Sequence, residues 1–183
     1  MEKEYKSITK SAEEFNSTFT GYFETEDGNH ACDSRRLYWE GPAEQMPEKF
    51  QKLIPQDREP QPFELDTPLL GFLKLAAKKH KVGRPSGNTP HPLILNGNYT
   101  FSCEAHVSNE FGEIDKAIFT RTPPVSFLEG LGVNPKFLLD ALKFVTRSKP
   151  AKKTVTISAG ERDASPLVIE MDERHALLML TKI

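Results

Sequence analysis

The stretch Gly132-Val133-Asn134-Pro135-Lys136-Phe137-Leu138-Leu139-Asp140-Ala141-Leu142-Lys143 constrains the fold more than any other part of this chain. Asn134 is a strong helix N-cap, and Pro135 suits the first helical position, where its missing N–H has no intrahelical partner to lose. Phe137, Leu138, Ala141, Leu142 and Val145 then recur at i, i+1, i+4, i+5 and i+8, one face of a helix. Two β-type runs follow, near Thr154–Ser158 and Leu167–Glu170, and a third is expected over Ala176–Ile183. A helix with one apolar face must bury it against a sheet or another helix. An apolar closing run is expected to dock in the fold rather than fray.

Upstream, Phe19–Phe23 reads as a strand, Glu26-Asp27-Gly28-Asn29 as a hairpin turn, and His30–Trp39 as the partner strand. Five prolines between Pro42 and Pro62 make residues 41–62 an expected extended connector. Thr67 is read as the cap of a second helix, with Pro68 first inside it and Leu69, Leu70, Leu73 and Ala77 on its buried face. Strands are expected near Leu93–Leu95, at Tyr99–Val107, where apolar and polar residues alternate, and at Asp115–Arg121. The order strand, helix, strands thus occurs from Phe63 to Arg121 and again from about Val125 onward. Two such halves side by side predict an α+β arrangement with both helices on one face of a sheet layer.

Composition narrows the function classes. No run approaches the roughly 18–20 apolar residues of a membrane span. No apolar stretch follows the N-terminal Met-Glu-Lys-Glu-Tyr-Lys, so no secretory signal is expected. Cys32 and Cys103 lack metal-type or disulfide-type spacing, which fits a cytoplasmic protein with reduced thiols. Residues 1–60 carry 13 acids and 8 bases, against 13 and 16 in residues 61–183. The bases cluster at Lys74, Lys78, Lys79, Lys81 and Arg84, and again at Lys143, Arg147, Lys149, Lys152 and Lys153, which suits either a phosphate-binding face or a solvated helix face. His30, His80, His91, His106 and His175 are scattered, with no zinc-type pair, nucleophile motif or Gly-rich phosphate loop. Asp33 beside Arg35 and Arg36 reads as an ion pair before it reads as an acid–base device. No enzymatic activity and no cofactor or metal are expected.

Several segments, in chain order, resemble the bacterial DNA sliding clamp family, the β subunit of the replicative polymerase. Asn134-Pro135-Lys136-Phe137-Leu138-Leu139-Asp140-Ala141-Leu142 is similar to that family's Asn-x-x-Tyr-Leu-Leu-Asp-x-Leu helix. Ala164-Ser165-Pro166-Leu167 resembles its Ser-Pro-type turn, and the run Leu177 to Ile183 its apolar close. Ala31-Cys32-Asp33-Ser34-Arg35-Arg36-Leu37 resembles Ala-Thr-Asp-Gly-His-Arg-Leu, and Met46 to Pro55 resembles the linker into the last domain. The resemblance implies a sliding-clamp fold: two helix-plus-antiparallel-sheet halves forming one domain over residues 61–183. Residues 1–60 would then be a truncated remnant of the middle domain, a β hairpin plus linker.

In that family these same segments line a groove for short linear motifs of polymerases and other replication or repair clients. The resemblance therefore implies a protein-binding module with Leu37, Leu53, Pro166, Leu177, Leu178 and Met179 as an apolar floor. Arg36, Lys52 and Asn134 would bond the peptide, with Cys32, Ser34, Arg35, Pro47, Phe137, Ala164 and Leu180 completing the site. For Leu177 and Leu178 burial in an ordinary core is the competing reading. The family's Gly-His is Ser34-Arg35 here, its Tyr is Phe137, and its closing Pro and Arg are Leu180 and Lys182. The family's helices face DNA, which makes Lys74, Lys78, Lys79, Lys81, Lys136, Lys143 and Arg147 the candidates for weak contact with double-stranded DNA, with Arg84 in Gly83-Arg84-Pro85 beside them. The alternative function is a homo-oligomer of short protomers that encircles DNA as a processivity factor.

Overall fold

A computed structural model describes residues 5, 8, 20–25, 28–79, 93–96, 100–108, 114–121, 131–147, 149–160 and 165–182. Strands β1 (Thr20–Thr25), β2 (Gly28–Asp33) and β3 (Arg36–Glu40) come first, followed by a 3-10 turn at Ala43–Gln45 and a short helix α1 (Glu48–Gln51). Then β4 (Gln61–Leu65), α2 (Thr67–Lys79), β5 (Leu93–Asn96), β6 (Thr100–Ser108) and β7 (Ile114–Arg121) form one unit. A second unit repeats the order with β8 (Leu131–Val133), α3 (Pro135–Val145), β9 (Lys153–Ala159), β10 (Leu167–Met171) and β11 (Arg174–Leu178), and β12 (Thr181–Lys182) follows. The expected strand–helix–strands repeat is present, and the class is α+β.

The described strands make two antiparallel sheets, ordered β1-β2-β3-β11-β10-β9-β4 and β12-β8-β5-β6-β7. The opening strand of each unit pairs in the other unit's sheet: β4 with β9, and β8 with β5. Each half therefore completes the other's sheet, so neither has a finished sheet alone. Strands from both sides of residue 60 share the larger sheet, because β3 pairs with β11 from Arg174↔Glu40 to Leu178↔Arg36.

Helix α3 starts where its sequence says it should. The Asn134 side-chain oxygen accepts N–H groups from Lys136 at 2.9 Å and Phe137 at 3.4 Å, and Pro135 occupies the first turn. Its buried residues, including Leu138, Leu139, Ala141, Leu142, Phe144 and Val145, pack on β3, β10 and β11. Helix α2 lies beside α3 and reaches β6. Its cap is Asp66, one residue earlier than expected: the carboxylate accepts the Leu69 N–H at 2.8 Å and the carbonyl accepts that of Leu70 at 3.2 Å. Asp caps at least as well as Thr, and Pro68 is equally harmless one position further in.

Three expectations are corrected. Residues 30–39 are not one strand but two, broken at Ser34-Arg35, because the Asp33 carboxylate accepts the N–H groups of Arg35 at 3.1 Å and Arg36 at 3.0 Å and turns the chain. Residues 41–62 are not simply extended: the segment forms a strap whose Met46, Phe50 and Ile54 are 5%, 0% and 7% exposed. Each such buried side chain is worth about 1.5–3 kcal/mol in transfer from water. The closing run is two strands, one in each sheet, joined through Met179 and Leu180.

The larger sheet is consequently apolar on both faces. Ala31, Tyr38, Ile169, Ala176 and Leu178 join the main core with α2 and α3. Their neighbours Cys32, Leu37, Trp39, Val168 and Leu177 join a second cluster with Met46, Phe50 and Ile54 of the strap. Period-2 alternation makes this division. The strap continues past Gly160, where an added Cβ would lie 2.8 Å from Pro55 and Asp57, so the close approach requires glycine.

Candidate functional site

On the strap side of the larger sheet, cross-strand register lines up Cys32, Leu37, Leu177 and Val168 on four adjacent strands. This row and Trp39 cluster with Met46, Phe50 and Ile54 of the strap. Beside Cys32, Leu37 and Leu177 lies a cavity of about 200 Å³, also lined by Leu53 from the strap and Met179 from the β11–β12 link. Cys32, Ser34, Arg36, Leu37, Leu53, Leu177 and Met179 line it, and the lining is mostly apolar. Met179 is 40% exposed, unusual for so large an apolar side chain among the described residues. The volume lies below the roughly 300–1,000 Å³ of typical small-molecule sites, and suits one or two aliphatic side chains.

The turn at the cavity's edge is tightly built. Ser34 sits at φ 68°, in the left-handed region that favours glycine. The Arg36 guanidinium, 3% exposed, donates from Nε to the Asp33 carboxylate at 2.7 Å, lies 3.5 Å from that of Asp140, and stacks 4.5 Å over the Phe137 ring. These contacts tie the β2–β3 turn to α3. Burial opposes the charge on Arg36, but its anionic neighbours outweigh burial and raise its pKa. Burial also pushes the Cys32 thiol up, against a Ser34 backbone hydrogen bond and the charge of Lys49. The sulfur is thus protonated at neutral pH and acts as apolar lining. His30 is pulled down by burial and by Lys49, which keeps it neutral under Phe50, 5.2 Å between ring centres.

Seven of the residues singled out from the sequence therefore meet around one cavity. Others flank it. Arg35 is exposed on the turn, with its carbonyl accepting the Met179 N–H at 2.8 Å. Pro47 opens α1, and Lys52 is exposed and paired with Glu48 at 2.7 Å. Asn134 spends its side-chain oxygen on the α3 cap, Phe137 receives Arg36, and Pro166 is half-buried at the entry to β10. Two placements correct the expectation. Leu178 and Leu180, 0% and 8% exposed, belong to the main core and not to the cavity floor, because alternation along β11 turns Leu178 away from the face that Leu177 occupies. Arg36 lines the cavity, and its guanidinium is also held by Asp33, Asp140 and Phe137. Ala164, Lys81 and Arg84 lie outside the described residues. Of the other bases, Lys74, Lys136 and Arg147 are exposed and Lys143 is half-buried, while Lys78 and Lys79 are described only as part of α2.

Two contributors escaped the sequence reading. Met46, Phe50 and Ile54 recur every four residues, a helical signal obscured by the surrounding prolines. Asp140 carried no local sign that it would face a buried arginine. Among the described residues, no group of His, Cys, Asp and Glu could hold a metal ion, and no helix is long and apolar enough to cross a membrane.

No family model matches the chain, and no curated protein matches it. One solved structure is similar: the DNA polymerase sliding clamp from Bacillus subtilis. The identity is 14% and the TM-score 0.44, over 85% of this chain and 41% of that one. The chain thus spans about two fifths of the length of that clamp.

Proposed function

We propose that this chain is a sliding-clamp-like protein-binding module that takes the apolar anchor of a linear motif carried by a polymerase or another replication or repair client. The observation that carries the reading is the gathering of Cys32, Ser34, Arg36, Leu37, Leu53, Leu177 and Met179 around one mostly apolar cavity. The sequence resemblance had grouped these residues while they were still scattered over 148 positions (Cys32 to Met179, counted inclusively). A partly exposed Met179 at the rim supports an adaptable contact surface, since an unbranched thioether fits many shapes.

Titration of a labelled Gln-Leu-x-Leu-Phe-type peptide, followed by fluorescence polarisation, tests the reading. Micromolar binding that Met179→Asp abolishes, with melting unchanged, is the expected result. No saturation at several hundred micromolar peptide would end it. Met179 is the right control, because Leu178→Glu would disrupt the core itself.

The second reading, an oligomer that encircles DNA, draws on the exposed Lys74, Lys136 and Arg147, carried on or just beyond two helices that pack together. Sedimentation of a monomer at all concentrations, with or without duplex DNA, would remove it.

A further inference from the structure

Two sulfur atoms line the cavity, and they are placed oppositely. Cys32 lies on β2 at 3% exposure, and burial pushes its thiol toward the protonated form. The thiolate is the form that reacts with oxidants, so this sulfur is shielded twice. Met179 is 40% exposed at the rim. The other described methionines are better covered. Met46 in the strap is 5% exposed, and Met171 is half-buried against the main core.

The backbone on either side fixes Met179 in place. Strand β11 ends at Leu178, whose partner on β3 is Arg36, and the Met179 N–H donates to the Arg35 carbonyl at 2.8 Å. Leu178 and Leu180, one residue to each side, are buried in the main core. The Met179 side chain therefore cannot leave the cavity wall without unseating one of these leucines. A ligand that fills the cavity covers the sulfur and takes it out of water. A thioether loses little by that, because it is apolar and adapts its shape. A sulfoxide carries a polar oxygen, which would then be buried against Leu37, Leu53 and Leu177, side chains that donate nothing. The lining guanidinium of Arg36 is already engaged by Asp33.

Resting on the reading of the cavity as a peptide site, we propose that Met179 is an oxidation site: hydrogen peroxide converts its thioether to the sulfoxide and so closes the cavity to the peptide's apolar anchor. One oxygen atom passes from the peroxide to Sδ as the O–O bond breaks. The sulfur gives up two electrons, and the other peroxide oxygen leaves as water. A methionine sulfoxide reductase reverses the change, the sulfoxide oxygen leaving as water while a dithiol is oxidised to a disulfide. The state of one exposed sulfur thus couples client binding to peroxide.

Titration of the full chain with hydrogen peroxide tests this, read by peptide mass spectrometry and by fluorescence polarisation of a labelled Gln-Leu-Ser-Leu-Phe peptide. Met179 should gain one oxygen before Met46, Met171 or Cys32 does, and affinity should fall about tenfold or more in step with it. Reductase treatment should restore both, and peptide binding by Met179→Leu should be insensitive to peroxide. Oxidation of Met46, Met171 or Cys32 ahead of Met179, or unchanged affinity with Met179 oxidised, overturns the switch while the protein-binding reading stands. A loss of binding that Met179→Leu shares does the same. Failure of the unoxidised parent to bind the peptide overturns both.

Discussion

Replacing Arg36 with methionine separates a bracing role from a ligand-contacting one. The guanidinium and the Asp33 carboxylate are 3% and 0% exposed, and their 2.7 Å contact is supplemented by Asp140 and by the Phe137 ring. Methionine keeps much of the stem's packing but leaves Asp33 buried without its cation. Removing one member of a buried pair typically costs about 3–5 kcal/mol. The two backbone N–H groups that Asp33 also accepts soften the loss, so the lower end, about 3 kcal/mol, is expected. For a chain of this size that corresponds to a fall of about 6–12 °C in melting temperature, read by circular dichroism. Asp33→Asn together with Arg36→Met should cost less than the sum of the two single changes, because the double variant buries no lone charge. Peptide affinity should fall only as far as the folded fraction falls. A variant that melts within about 2 °C of the parent, at most about 1 kcal/mol, yet loses peptide binding would refute the bracing argument and make Arg36 a ligand contact.

The adjacent leucine and methionine of the closing run should respond oppositely. Leu178→Ala removes a fully buried side chain from the main core and should cost about 2–5 kcal/mol in urea unfolding, whereas Met179→Ala should cost under about 1 kcal/mol and act on peptide binding. Equal costs would mean the two faces of β11 are misassigned. Ser34→Gly should leave stability unchanged or raise it by up to about 1 kcal/mol, since relief of left-handed strain opposes the extra freedom of glycine in the unfolded chain. A loss above about 1 kcal/mol in the same assay would show that Ser34 contributes through its side chain and not through its backbone.

Local physics explains what the sequence reveals and what it hides. Asn134-Pro135 with its apolar spacing is a cap, a first turn and a buried face all within one short segment, and it became helix α3 as expected. The break at Ser34-Arg35 was hidden because the turn has no Gly, Pro or Asn; a single Asp33 carboxylate folds it. The strap was hidden by its prolines, although Met46, Phe50 and Ile54 carry a four-residue repeat. The resemblance grouped residues that line the cavity but could not tell Leu177 from Leu178. That distinction is one residue of strand register, set by the pairing of β11 with β3 and β10. The reciprocal placement of β4 and β8 is a long-range fact with no local signature at all.

One polar latch connects the strap to the sheet, and its titration gives a pH test of how the cavity wall is held. Arg58 donates to both Glu170 oxygens, at 2.6 and 3.1 Å, and to the Ser158 hydroxyl at 3.0 Å. Glu170 also meets His175 at 3.0 Å, and His175 stacks on Trp39 with 4.9 Å between ring centres. Burial alone would raise the Glu170 pKa, but the hydrogen bonds from His175 and Arg58 overcome it and hold it at about 2, below the ordinary 4.5. A carboxyl depressed in the folded state stabilises the fold above pH 4.5, and that contribution disappears as pH falls from 4.5 toward 2. Arg58→Ala should therefore cost about 1.5–3 kcal/mol at neutral pH, the usual worth of a charged hydrogen-bonded contact. The gap between parent and variant should narrow as urea unfolding is repeated at successively lower pH, closing as Glu170 protonates. Leu53 lies five residues before Arg58 on the same strap, so a loosened latch should also weaken the peptide at neutral pH. A gap that stays constant from neutral to acid pH would show that Arg58 acts through packing alone. The cavity wall would then depend only on the apolar seating of Met46, Phe50 and Ile54.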